Sequence, residues 1–160
     1  MSIRRALVAI AAAAALALVA APAANAGHPH FIKNATSASL DGTSLVVQFK
    51  EAGLESGAVE TVVASAFLSA TYSCVNGGNN VPSDPKKTTI DSQVSASGVF
   101  PASQNGQIVG SLTITPVPAD QALDCPPGQT ATLFSVVYSN VTVEDTTSGA
   151  FIALKGTFSS

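Results

Sequence analysis

From Ser44 onward the chain alternates apolar and polar positions with a period of two, and no apolar stripe of helical period reaches helical length. The longest run sets Val62, Ala64, Ala66, Leu68, Ala70, Tyr72 and Cys74 against Val63, Ser65, Phe67, Ser69, Thr71 and Ser73. A strand of that length predicts a bend or bulge partway along it. Leu45, Val47 and Phe49 alternate with Ser44, Val46, Gln48 and Lys50. Further along, Ile90, Val94, Ala96 and Phe100 share a phase, as do Ile108, Leu112 and Ile114. In Thr132–Glu144 the phase changes: Phe134, Val136 and Tyr138 set one face, then Val141 and Val143 set the other. A bulge near Ser139-Asn140 accounts for that slip. Ile152, Leu154 and Phe158, with Gly156 between them, predict a last strand.

Turn residues separate these runs: Asp41-Gly42, Asn76–Asn80, Asn105-Gly106, Pro126-Pro127-Gly128 and Ser148-Gly149. Asn105-Gly106, between Phe100 and Ile108, predicts a hairpin. About seven or eight strands at this spacing predict one all-β domain, an antiparallel sandwich of immunoglobulin-like or Greek-key form, with a small barrel as the alternative. The immunoglobulin analogy is loose, since no Trp is present to pack on a disulfide.

The segment before this domain has another character. Arg4 and Arg5 precede an apolar run from Ala6 to Ala21, Pro22 ends it, and Ala24-Asn25-Ala26 is a small-x-small cleavage pattern. The run is shorter than the roughly 20 apolar residues of a bilayer span. Residues 1–26 therefore read as a signal peptide and residues 27–160 as the secreted domain. The C-terminal Gly156–Ser160 has neither a hydrophobic tail nor a basic anchor, which implies release into the medium without a membrane attachment.

Charge then narrows the functional classes. Both arginines lie in the leader, so residues 27–160 hold five Lys against ten Asp and Glu. That balance argues against a nucleic-acid partner, which requires clustered cations on the phosphates. His28 and His30 are the only histidines, no nucleophile elbow or phosphate loop occurs, and the carboxylates read as solvated charges on turns and edges. No enzyme is expected. An oxidising destination makes Cys74 and Cys125 a disulfide, because a metal site needs more ligands and a catalytic thiol needs a base.

Two candidate sites remain. Cleavage after Ala26 would free an amine beside the His28 amide, and amine, amide and imidazole form a tetragonal Cu(II) donor set with His30 nearby. The ligands of that alternative are Gly27, His28 and His30. The other candidate is a surface built from two loops that the disulfide ties together, Cys74–Lys87 and Pro116–Gln129. Its polar members are Asn79, Asn80, Asp84, Lys86, Lys87, Asp120 and Asp124. Asp120 with Asp124, or Glu144 with Asp145, offer carboxylates to Ca(II), though neither spacing matches a known loop. An aromatic sugar platform is disfavoured because both tyrosines fall in core phase, leaving Phe67 and Phe151 on the opposite faces.

Ser44–Leu54 (SLVVQFKEAGL), Tyr72–Lys87 (YSCVNGGNNVPSDPKK) and Cys125–Gly149 (CPPGQTATLFSVVYSNVTVEDTTSG) together resemble small secreted proteins of actinobacteria that carry no assigned activity. The resemblance implies a bacterial, secreted protein with paired cysteines, and implies nothing about mechanism. The sequence thus supports a non-catalytic extracellular module acting on an unidentified ligand or surface.

Overall fold

The computed structural model describes residues 27–160, so the expected signal peptide lies outside the described residues. The strands form two antiparallel sheets. In the first, β1 (His30–Phe31) and β2 (Ser37–Asp41) share one edge of β3 (Ser44–Ala52). The other edge of β3 pairs with β6 (Gln107–Ile114). In the second sheet β5 (Lys87–Pro101) lies beside β4 (Val59–Asn76), and β4 beside β7 (Gln129–Asp145). The short β8 (Phe151–Ala153) and β9 (Phe158–Ser159) occupy the far edge of β7. A 3-10 turn at Lys33–Ala35 and one helical turn, α1 (Ala119–Ala122), complete the described elements.

The chain changes sheet between β3 and β4, between β5 and β6, and between β6 and β7. These crossings return β6 to the side of β3 and β7 to the side of β4, the Greek-key arrangement of a sandwich. The sheets do not close into a barrel. Period-two alternation supplies the core between them: Leu45, Val47 and Phe49 from β3 meet the buried face of β4 from Val62 to Cys74. Phe49 stands edge-on to Phe31 at 6.0 Å and to Phe100 at 5.1 Å between ring centroids.

The expected phase slip has its bulge. Ser65 pairs with Thr142 but Phe67 pairs with Ser139, and Asn140 takes a positive φ of 51°. A second bulge was not legible: Thr71 pairs with Ser135 and Tyr72 with Leu133, which skips Phe134. Leu133 thereby takes the place expected for Phe134, and the phenyl ring is turned out, 49% exposed. Both irregularities fall opposite β4, which runs through all 18 of its residues.

Two local expectations are corrected. Asn105-Gly106 does form a tight turn, with the Ser103 amide donating to Gln107 O at 2.8 Å. It is a corner and not a hairpin ladder, because β5 and β6 belong to different sheets. Gly106 has φ +66°, and a Cβ there would collide with Leu54 O, so this corner is clasped against the β3–β4 loop. The single last strand is divided into β8 and β9 around Gly156, whose φ is +118°.

Tyr72 and Tyr138 are fully buried, and each spends its hydroxyl on loop backbone. Tyr72 donates to Val117 O at 2.7 Å, and Tyr138 donates to Thr43 O at 2.9 Å. Burial pushes the Tyr138 hydroxyl up to about 12, so it remains a donor throughout the neutral range. Tyr138→Phe leaves the Thr43 carbonyl short of its donor and is expected to cost about 1–2 kcal/mol of stability in urea unfolding. A loss below about 0.5 kcal/mol would mean that water or a shifted loop replaces that bond.

Candidate functional site

Chemistry-bearing residues gather at the two ends of the long β4–β7 pair. At one end β4 finishes and β7 begins. Cys74 is bonded to Cys125 with the Cα atoms 5.7 Å apart, as the cysteine count predicted. The bridge brings together the two loops expected from the sequence. Lys86 Nζ donates to Asp124 O across them at 2.7 Å, and the Cys74 amide donates to Lys86 O at 2.9 Å. Asn76 and Asn80 form an isolated bridge that folds Gly77–Asn79 into a turn, with Asn79 at φ 62°.

The proposed polar members divide between two shallow pockets and open surface. Asn79 joins Val75, Thr132, Leu133 and Phe134 around a pocket of about 320 Å³. Asp120 and Asp124 line another with Gln129 and Thr130. Asn80, Asp84 and Lys87 are exposed beside them, Lys87 opening β5 opposite Ser73. Sequence reasoning missed Phe134, because its exposure depends on the second bulge. Val81 and Val117 add apolar surface on the same two loops, 46% and 42% exposed.

At the opposite end β3 and β7 finish and β4 begins. Here the expectation of solvated carboxylates is corrected: Glu51, Glu60 and Asp145 are 0%, 5% and 0% exposed. Each continues the inward phase of its strand, Glu51 after Phe49, Asp145 after Val143, and Glu60 ahead of Val62. Ser148 Oγ donates to Glu51 Oε1 at 2.9 Å, and Asp145 Oδ1 accepts from the amides of Thr147 and Ser148. Glu51 Oε2, Glu60 Oε2 and Asp145 Oδ2 are buried with no hydrogen-bond partner. Burial pushes the Glu51 carboxyl up to about 7, opposed by Ser148 and reinforced by Asp145 and Glu60. Glu60 is raised for the same first reason, burial, and then by Asp145.

A pocket of about 320 Å³ reaches this cluster at Glu60 alone of the three acids, its other walls including Glu55, Ser148 and the segment Gly27–Pro29. The neighbouring residues of β1 anchor that segment. His30 pairs with Ala52, Phe31 is buried, and the Ile32 amide donates to Lys50 O at 2.7 Å. Gly53, at φ +86°, lets it lie close, since a Cβ there would stand 2.6 Å from His28 O.

The candidate copper ligands Gly27, His28 and His30 are exposed, the first two at the lip of this pocket. His30 Nδ1 lies 2.8 Å from His28 O, and a carbonyl only accepts, so this bond fixes the proton on Nδ1 and leaves Nε2 for any metal. Among the described residues no group of three or more His, Cys, Asp or Glu side chains is arranged to hold a metal ion, and of the Ca(II) pairings Glu144 is exposed while Asp145 is buried, so those two carboxylates face opposite sides of β7. No described helix is long and apolar enough to cross a membrane. No protein-family model matches the sequence, and comparison with curated proteins and with solved structures returns no match.

Proposed function

We propose that this is a secreted, non-catalytic binding module that recognises an extracellular ligand through the disulfide-tethered end of its sandwich. The observation that carries this reading is the outward Phe134 ring, 49% exposed beside Asn79 in a pocket at the end of the sandwich where Cys74–Cys125 ties two loops together. An apolar ring bordered by an amide, held on a braced edge, is suited to a ligand that presents apolar and hydrogen-bonding groups side by side. The tether lowers the ordering cost of binding, because the loops are fixed before the ligand arrives.

The test uses protein recovered from the medium of expressing cells, applied to peptide and glycan arrays. Phe134→Ser is expected to weaken the strongest interaction by about tenfold or more, the loss of one buried anchor. Retention of full affinity by both Phe134→Ser and Cys74→Ser would place recognition elsewhere.

A second reading, Cu(II) binding by Gly27, His28 and His30, draws support from the exposure of both imidazoles and the free His30 Nε2.

A further inference from the structure

Three carboxylates sunk together at one end of a small sandwich require an explanation. A buried carboxylate is strongly disfavoured unless it is paired or protonated. Ser148 and two backbone amides satisfy one oxygen of Glu51 and of Asp145, and one buried oxygen on each of the three residues has no partner. No described lysine lines the pocket above them; its walls offer Gly27, His28, Glu55, Glu60, Thr147 and Ser148 among their members. Asp145 faces both Glu51 and Glu60 closely enough to raise their carboxyls, so the cluster is relieved by protons or by a cation of the size of an ammonium group at the pocket wall that Glu60 supplies.

The chain carries one such group latent at this place. Hydrolysis of the Ala26–Gly27 peptide bond adds water across it, leaving a carboxylate on Ala26 and an amine on Gly27 that takes up a proton at neutral pH. Gly27 already lines the pocket, and the backbone of Gly27–His28 is pressed against Gly53 by the adjoining β1–β3 pairing. The new terminus therefore needs no long search to reach Glu60 on the same pocket wall.

We propose that Glu60 on the pocket wall, backed by the buried Glu51 and Asp145, binds the α-ammonium group of Gly27, so that removal of the leader completes the fold. The inference rests on cleavage after Ala26, part of the secretion reading, and is independent of ligand recognition at the far end of β4 and β7. Before cleavage the pocket holds unpaired acids and an amide nitrogen. After cleavage it holds a charge-assisted pair between the Gly27 ammonium at the lip and the buried Glu60 on the wall. A Cu(II) chelate through the same nitrogen competes with this docking, since metal and carboxylates cannot both take the amine.

Intact mass of the secreted protein decides first whether the chain begins at Gly27; any other start overturns the proposal. The chain that begins at Gly27 is then compared with the same chain acetylated on the Gly27 nitrogen, each with Glu60 or with Glu60→Gln. The free terminus is expected to raise the thermal midpoint by roughly 5 °C over the acetylated one. Glu60→Gln is expected to lower the midpoint of the free chain and to raise that of the acetylated chain, where it removes a buried unpaired acid. Equal midpoints for the free and acetylated chains, or the same sign for Glu60→Gln in both, overturn the proposal. Gly53→Ala, which crowds His28 O, is expected to abolish the difference between the two termini, and an undiminished difference counts against the seat described here. Millimolar calcium that stabilises free and acetylated chains alike assigns the site to a divalent cation instead. One equivalent of Cu(II) is expected to lower the midpoint of the free chain by withdrawing its amine; a raised midpoint favours the copper reading and overturns the docking.

Discussion

Removing the Cys74–Cys125 bridge, by Cys74→Ala with Cys125→Ala, is expected to lower the free energy of unfolding by about 4 kcal/mol. The bond spans 51 residues of sequence, and closing a loop of that length restricts the unfolded chain more than the folded one. The folded state also changes. Cys74 is buried at the end of β4, whereas Cys125 is half-buried in the loop that enters β7, so without the bridge the two loops are joined by the Lys86–Asp124 bond and by the last pair of the β4–β7 ladder, Asn76 with Gln129. That bond is exposed and contributes little. Urea unfolding of the oxidised protein and the double variant measures the loss. A loss under about 1 kcal/mol would mean that the loops are ordered by their own backbone contacts and not by the sulfur link.

Stability of the chain acetylated at Gly27 is expected to fall as pH rises from about 5 to 8, the reverse of ordinary carboxylate behaviour. Burial pushes Glu51 from its ordinary 4.5 up to about 7 in the folded protein. The folded chain therefore binds a proton that the unfolded chain has released, and the stability this provides is complete below the unfolded value. It is lost as pH rises through about 7, amounting to roughly 3 kcal/mol for Glu51 alone. The groups that face it are Asp145 and Glu60, which add to the effect, and the Ser148 hydroxyl, which opposes it. Glu51→Gln is expected to flatten the dependence and to leave the acetylated chain more stable than its parent at pH 8. Urea midpoints at pH 5, 6.5 and 8 check both statements. A profile that rises with pH in the parent would show that water or a cation reaches the carboxylates.

Much of the carboxylate cluster was legible in the same alternation that predicted the strands. Glu51 stands two residues beyond Phe49 and Asp145 two beyond Val143, so each falls on the core face of its strand. Reading them as solvated follows the usual behaviour of charged residues and overlooks their phase. What the alternation could not convey is that three different strand ends meet at one place, because that depends on which strands become neighbours. Phe134 shows the opposite case. Its phase assigned it to the core, and an extra residue in β7 turned it to the surface.

The sequence by itself determined the class of the fold, the inward faces of β3, β4 and β6, the bulge at Asn140 and the pairing of the two cysteines. Side-chain period, turn chemistry and the count of thiols dictate these features, and all three are local or arithmetic properties. Only the tertiary structure decided that Asn105-Gly106 turns between sheets, that Phe134 faces outward, and that Glu51, Glu60 and Asp145 gather at the end of the sandwich where Gly27 lies. Each of these depends on strand register or sheet order. Both are set by how the whole set of apolar faces packs together, and no segment read alone carries that information.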